Sequence, residues 1–406
     1  MTIMRALAKN LLAVLGLAMV VLYFAQLFPR MQKGLDFADF YAAARMVRDG
    51  HGRELYDPLV QNQYLIRYSG RVGSYFNHPP FETLIYLPFS ILPLSPAYAL
   101  WCAFQAILLI AVARLLERNV LRRWSWRVLV LVFLLYVPVL LDFLQGQDAL
   151  LLLFLLTLAF ATLERKREFG AGCLLGCGLF KFHLAIPAAL PLFFIGRKKL
   201  ACGFALVAIA LLAVSIGISG WAVIATYPRF LLHLGSLPLA GIHNAQKANL
   251  RGLFGLLLPG SEGVVLGLML LSSALIVWLT VRSHALAMPD AGSARLAFAN
   301  TVFAALLVGY HLSPHDLSIL LLPMILLVDH LLTSDGIPRS TRLVLLVTLG
   351  VLFLPPLHLL LLHVHLYSYA CLPVLVLFGV TCTEIWRTAR RLDLPAAASA
   401  TSNQSR

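Results

Sequence analysis

Long apolar runs recur along the whole chain, each close to the roughly 20 residues that a helix needs to cross a bilayer, and short connections between them carry the charge. The runs predict about twelve transmembrane helices, near 11–28, 97–116, 128–142, 149–163, 169–182, 184–196, 200–220, 263–281, 298–311, 316–332, 342–362 and 370–386. The short segments 169–182 and 184–196 can also be read as broken helices. A β-barrel would alternate apolar and polar positions, and stretches such as Ala149 to Phe160 do not. The fold class is therefore all-α, integral and polytopic. It occupies residues 1–393, and the Pro-, Ala- and Ser-bearing tail 394–406 is expected to be disordered and cytoplasmic. The first run follows Arg5 and Lys9 without a small-x-small cleavage site, which predicts a retained signal anchor.

The longest stretch without a span is a first outer loop, residues 29–95. Its opening places Phe37, Phe40, Tyr41, Ala44 and Val47 at helical spacing, which predicts an amphipathic helix lying on the membrane surface and ended by Gly50. Further on, Pro79 and Pro80 delay the next helix start, and Pro88 and Pro93 break the apolar run from Phe81 to Leu94. That pattern suits a re-entrant or interfacial helix pair.

Composition agrees: 60% of the 406 residues are hydrophobic and 12% charged, too few polar groups to cover a soluble fold of this length. The net charge of +14 is gathered in clusters at Arg118/Arg122/Arg123/Arg127, Arg165/Lys166/Arg167, Arg197/Lys198/Lys199, Arg339/Arg342 and Arg387/Arg390/Arg391. By the positive-inside rule these clusters are cytoplasmic, and so are both termini. No basic face with interleaved aromatics argues for nucleic acid as a partner; the bilayer is the expected one. The six cysteines fall mostly in apolar runs and read as small buried hydrophobes.

With that topology, nearly every unusual polar residue emerges on the outer side: Asp36, Gln145 to Asp148, Lys181 with His183, His243 to Gly252, His311 to Asp316 and His363 to Tyr367. A passive scaffold has no need to collect carboxylates, imidazoles, amines and amides at one interface, so the pattern implies an outward-facing site. Asp36 either caps the helix that follows it or acts as a base, and the two roles are compatible. Asp39 is the second candidate base. Lys181 binds an anion or snorkels to the interface, and Arg251 meets a ligand or lipid headgroups. Gln145, Gln147 and Asp148 bind sugar hydroxyls or form a polar turn between two spans. Asp316 or Ser313 caps a helix, or His315 and Asp316 form an interfacial pair at a site. His243, His363 and His365 lack carboxylate or cysteine partners at ligand spacing, so no metal is expected. A transporter or lipid flippase is the alternative class; against it stand the missing internal repeat and polar groups gathered away from the midplane.

The motifs Asp36-Phe37, Tyr41, Ala43-Ala44-Arg45, Leu55-Tyr56-Asp57, His78-Pro79-Pro80, Gly146-Gln147, Gly170 to Gly178 before Lys181, Asn249-Leu250-Arg251-Gly252-Leu253 and His315-Asp316-Leu317 occur in this order. In that ordered set the chain resembles glycosyltransferase family 87, the polyprenyl-phosphate-sugar-dependent enzymes of the GT-C fold, some of which are α-mannosyltransferases. It departs from the family pattern after Lys181, where Phe182-His183 stands in place of a proline.

The resemblance implies a multi-pass inner (plasma) membrane enzyme of the cell envelope, with its active site on the outer, periplasmic face. It would move a hexose, mannose foremost, from a polyprenyl-phosphate-sugar donor to a glycan or glycolipid acceptor, with inversion. Asp36 takes the family's general-base position, and His315 is the second catalytic candidate. Lys181, Arg251, Asn249, Gln147, Tyr41, His78 and Asp316 are the substrate-binding candidates. Because the leaving group is a lipid phosphate, cationic donors can stabilise it; no metal or other cofactor is required. The aromatic residues Trp221, Tyr227 and Phe230, in the stretch from Gly220 to Gly252, are expected to bear on acceptor selectivity.

Overall fold

The computed structural model describes residues 36–122, 124–233, 244–287, 291–334 and 336–393, with three isolated positions before residue 36. The predicted first span apart from those positions, His243 and the tail 394–406 lie outside the described residues. The described chain is helical throughout, with no strand among the described residues. Six helices are long and apolar enough to cross a membrane: Leu94–Asn119, Glu168–Phe194, Lys198–Ser219, Glu262–Leu286, Pro314–Thr333 and Tyr367–Arg390. The number rises to eight if two bent pairs each make one span, so twelve is not reached among the described residues.

Local chemistry explains the difference. The predicted span 128–142 is two helices, Trp126–Leu134 and Val137–Gln145, bent by 76° where Pro138 enters the first turn of the second. Arg339–Phe353 and Pro355–His363 are bent by 58° at Pro355 and Pro356. The predicted spans 169–182 and 184–196 instead form one span, Glu168–Phe194, joined by a 3₁₀ turn from Gly178 to Lys181. Ala149–Glu164 is helical but short.

The chain divides into two compact units: residues up to 182 with 202–243, and residues 183–201 with 244–406. In the first unit the Phe37–Arg48 helix is not the surface-lying amphipath that its spacing predicts. Phe37, Ala38, Phe40, Tyr41, Ala42, Ala43, Ala44 and Met46 are all buried, so it is packed on nearly every side. Its small residues let other elements approach, and its aromatic residues enter a cluster in which Phe40 stacks on Tyr86 at 4.5 Å and Tyr86 meets Trp101 at 4.6 Å. Such pairs add roughly 0.5–1.5 kcal/mol each beyond burial. Arg45 and Arg48 donate to the carbonyls of Leu92 and Ser90, tying the helix to the proline-broken run. The Pro58–Ser69 helix follows its sequence signals: Asp57 accepts from the Leu59 and Val60 amides, proline opens the first turn, and Gly70 closes it at φ +67°.

In the second unit the Ala291–Val308 helix packs on Glu262–Leu286, Leu321–Thr333 and Cys371–Asp393. Polar pairs stitch these helices together: Asn300 donates to Cys382 Sγ at 2.9 Å, and Arg295 meets Asp329 at 2.9 Å. Pro314–Thr333 is 83% buried, whereas Glu262–Leu286 is 17% buried and turns Leu270, Leu271 and Trp278 outward, the surface a bilayer would cover.

Candidate active site

Among the described residues, the predicted site residues gather in one polar cluster in each unit. In the first unit it begins at Asp36, which occupies the N-cap position of Phe37–Arg48 without capping it. Instead its Oδ2 accepts from Gln147 Nε2 at 2.8 Å. Backbone geometry explains how residues 111 positions apart meet. Gly146 ends the preceding helix at φ +67°, and a Cβ there would lie 2.6 Å from Phe37 Cβ and 3.0 Å from the Tyr98 ring. Only glycine combines that conformation with that closeness. Gln147 is then fixed through its carbonyl, which accepts from Trp101 Nε1 at 3.2 Å and from Gln105. Asp142 anchors the same turn by accepting from the Ala149 and Leu150 amides and from Gln105 Nε2.

Directly after Gln147 comes a buried ionic chain. Lys181 Nζ lies 2.8 Å from Asp148, and both side chains are almost fully buried. His78 Nδ1 lies 2.9 Å from Glu82, and ligand atoms of His78, Glu82 and Asp148 fall within 4.8 Å of one another. Burial and then the Asp148 charge push the Glu82 carboxyl well above its ordinary range. Asp148 goes the other way: burial is the largest single influence and works against its charge, but the Lys181 and His78 charges and the hydrogen bonds from Lys181 and Glu82 together hold it below the ordinary range. Glu82 is thus the protonated member and Asp148 the anion. A His-Glu-Asp trio of this size has the residue types to hold a divalent cation, yet here the Lys181 ammonium already supplies positive charge.

Asp39 lies one helical turn from Asp36. Its Oδ2 accepts from the Ser74 hydroxyl and its Oδ1 is 3.9 Å from Arg71. Burial first, then the Asp36 charge, raises its carboxyl to about 7. The Tyr41 hydroxyl donates to the Leu92 carbonyl at 2.8 Å and accepts from Arg45, which makes Tyr41 part of the wall. The backbone beside His78 is held too: Tyr56 donates to the His78 carbonyl and Tyr227 to that of Asn77, with Tyr56 stacked on both Tyr227 and Phe230. Of the aromatic residues expected to bear on selectivity, Phe230 lines an open groove of about 340 Å³ together with Tyr56, Thr226, Arg229 and His233, and Tyr227 stacks on Tyr56.

The second unit holds the remaining predicted residues. Asn249 is fully buried and caps Leu250–Leu257 by accepting from Gly252 N at 2.9 Å, while its amide donates to the Gly309 carbonyl. The Ala248 amide donates to Leu312 O at 3.0 Å, so residues 248–249 are zipped to 309–312. Gly309 permits the approach of a further segment: a Cβ there would lie 2.8 Å from Leu184 and 3.2 Å from the His183 carbonyl. Arg251 rests over the Tyr310 ring at 3.8 Å. Asp316 accepts from the Ser313 amide at 2.8 Å, so it is a capping carboxylate, and His315 Nε2 sits 3.6 Å from its other oxygen.

Three residues of these two centres were not singled out from the sequence: Glu82, Asp142 and Lys247. Each is a lone charge in or beside an apolar run, which is the signal that could have found them. Lys181 is 2% exposed and lies 2.8 Å from Asp148, a buried partner, so it is not snorkelling to an interface. His365 lies 2.9 Å from Gln246, away from any metal-ligand set among the described residues.

The family model described as glycosyltransferase family 87 matches residues 76–314, more than half of the chain. No curated protein and no solved structure matches it.

Proposed function

Because the chain belongs to glycosyltransferase family 87 and is a membrane glycosyltransferase, we propose that it transfers a hexose, mannose foremost, from a polyprenyl-phosphate-sugar to a glycan or glycolipid acceptor, with Asp36 as the base. Family membership sets aside the transporter alternative. The observation that carries the assignment of Asp36 is its hydrogen bond to Gln147 at 2.8 Å, made in place of the helix cap that its position offers. A carboxylate that forgoes capping and is gripped through one oxygen is oriented, which is what a base requires.

In the proposed step, Oδ1 of Asp36 takes the acceptor hydroxyl proton. The acceptor oxygen forms its bond to the anomeric carbon, and the bond from that carbon to the phosphate oxygen breaks with its electrons passing to the phosphate. Attack opposite the leaving group inverts the anomeric centre. Cationic donors on the phosphate side would stabilise the charge that develops there. No metal enters this mechanism, and chelation with EDTA is expected to leave transfer unchanged. We place the reaction on the outer, periplasmic face of the inner membrane with both termini cytoplasmic, from the distribution of Lys and Arg.

The test is transfer of labelled sugar from polyprenyl-phosphate mannose to membrane extract by the purified full chain. Asp36→Asn is expected to lower kcat by at least about a hundredfold without lowering the melting temperature. Undiminished transfer by Asp36→Asn, with transfer lost in Asp39→Asn, would move the base to Asp39. No transfer from glucose, arabinose or mannose donors would remove the lipid-phosphate assignment.

A further inference from the structure

The Trp221–His233 helix of the first unit presents unlike faces. Val223, Ile224, Tyr227, Phe230 and Leu231 are its partly buried side. Trp221, Ala225, Pro228 and Leu232 recur at helical spacing as an exposed apolar stripe, in which Trp221 is 65% and Leu232 80% exposed. Between these sides, Thr226, Arg229, Phe230 and His233 line the open groove with Tyr56.

Local contacts put the groove at the end of a span. Gly220 closes Lys198–Ser219 at φ +80°, at the end away from the Arg197/Lys198/Lys199 cluster, so the helix begins where a span leaves the bilayer. A Cβ on Gly52 would collide with the Ile218 carbonyl, and the Phe81 amide donates to Ser215 Oγ at 3.3 Å. The turn before Tyr56 and the run after His78 are therefore both seated on that span. Tyr56 stacks on Tyr227 at 4.8 Å and on Phe230 at 5.0 Å. Both phenol hydroxyls are engaged with backbone, Tyr56 on the His78 carbonyl at 2.7 Å and Tyr227 on the Asn77 carbonyl at 2.9 Å. Arg229 is exposed, and its guanidinium has no hydrogen-bond, ion-pair or ring partner among the described residues. No carboxylate lines the groove.

Each surface selects one part of an occupant. Aromatic rings take the C–H face of a sugar, and a free guanidinium beside them takes an anionic group. An exposed apolar stripe on a helix at the membrane surface lies against acyl chains. The groove volume of about 340 Å³ is near the lower end of the roughly 300–1,000 Å³ of small-ligand sites, which suits a short headgroup better than a long glycan.

We infer that this groove binds the headgroup of an acidic glycolipid, with its sugar ring against Tyr56 and Phe230, its carboxylate or phosphate on Arg229 and its acyl chains along the stripe from Trp221 to Leu232. This rests on the transfer reaction proposed above and deepens it by choosing among its acceptors. The groove reaches the reacting centre through the backbone of Asn77 and His78, which Tyr227 and Tyr56 hold; the His78 side chain joins Glu82 and Asp148, the residue after Gln147.

The experiment uses the purified full chain in phosphatidylcholine nanodiscs, as wild type, Arg229→Gln, Arg229→Lys and Phe230→Ala. The probes are glucuronosyl-diacylglycerol, glucosyl-diacylglycerol, which lacks the carboxylate, and methyl glucuronide, which lacks the lipid. Wild type is expected to bind the glucuronosyl lipid at least about tenfold more tightly than either of the others. Arg229→Gln is expected to remove the preference between the two lipids at an unchanged melting temperature, since Arg229 is exposed, and Arg229→Lys to keep part of it. Phe230→Ala is expected to weaken both lipids about tenfold. In transfer from polyprenyl-phosphate mannose to membrane extract, labelled product is expected in the organic phase and retained by an anion exchanger. Equal affinity of wild type for the two lipids, equal affinity for methyl glucuronide, or a lipid preference that survives Arg229→Gln overturns the inference, and transfer by wild type then leaves the proposed function standing. Labelled product confined to the aqueous phase assigns the acceptor to a free glycan and also overturns it. A preference for the acidic lipid that is lost in Arg229→Gln, with no transfer from any polyprenyl-phosphate sugar, keeps the glycolipid site and overturns the donor.

Discussion

The two polar centres are built from opposite charges and finished in opposite ways. The first unit gathers Asp36, Asp39, Glu82, Asp142 and Asp148, and nearly all of that negative charge is met internally: Gln147 holds Asp36, Ser74 holds Asp39, helix amides hold Asp142, and Lys181 holds Asp148. The second unit gathers Lys247, Arg251, His183, His311 and His315 around Asp316, a carboxylate already engaged in a cap. One centre is a network of carboxyl groups held by an amide, a hydroxyl, backbone amides and an ammonium; the other gathers basic groups around a single capping carboxylate.

The sharpest way to break the comparison is to remove each lysine and follow stability. Lys181→Met leaves Asp148 buried without its cation and is expected to cost about 3–5 kcal/mol, seen as a large drop in melting temperature; adding Asp148→Asn should restore most of it. Lys247→Met is expected to cost less than Lys181→Met, because it removes a charge that burial first and Arg251 second disfavour. Equal destabilisation by the two changes would mean that the centres do not differ in kind.

Smaller in stability but specific to the carboxylate network is Gly146→Ala. The added methyl meets Phe37 and Tyr98 on a left-handed backbone, and a cost of about 1–3 kcal/mol is expected, with kcat falling more than the melting temperature suggests because Gln147 moves off Asp36. Full activity in a destabilised variant would detach Gln147 from the placement of Asp36.

The smallest expected effect is the pH response of Asp39. Its folded carboxyl titrates near about 7 against 3.8 when exposed, so its contribution to stability is complete below about pH 4 and is lost as pH rises to about 7. The melting temperature of wild type should therefore decline over that window more than that of Asp39→Asn. Parallel curves for the two proteins would show that Asp39 is not the titrating group.

Much of this architecture was legible in the chain. Apolar runs announced the helices, and Gln145, Gln147 and Asp148 stood out as a polar turn; the Pro58–Ser69 helix was not read from the sequence, although Asp57, Pro58 and Gly70 mark both its ends. The number of spans was less legible, because hydropathy does not register the 76° bend between Trp126–Leu134 and Val137–Gln145. The burial of the Phe37–Arg48 helix was hidden for a related reason. Alanines at 42, 43 and 44 read as neutral in an amphipathic pattern, yet their small size is what lets neighbours pack against every side.

What the sequence determined by itself is the solvent and the chemistry available: a helical membrane chain with isolated carboxylates, imidazoles and amines between its runs. These follow from composition and period, properties each segment carries alone. Only the tertiary structure decided which amine meets which carboxylate. Lys181 lies 33 positions from Asp148 across a turn at Lys166 with φ +58°, and Gln147 lies 111 from Asp36 across left-handed glycines at 50, 70, 73 and 146; the reach of these turns is encoded in no local pattern. Electrostatic energy depends on separation in space and on burial, both set by packing, so a lysine that reads as a snorkelling or anion-binding group in the sequence is, in the fold, the buried partner of Asp148.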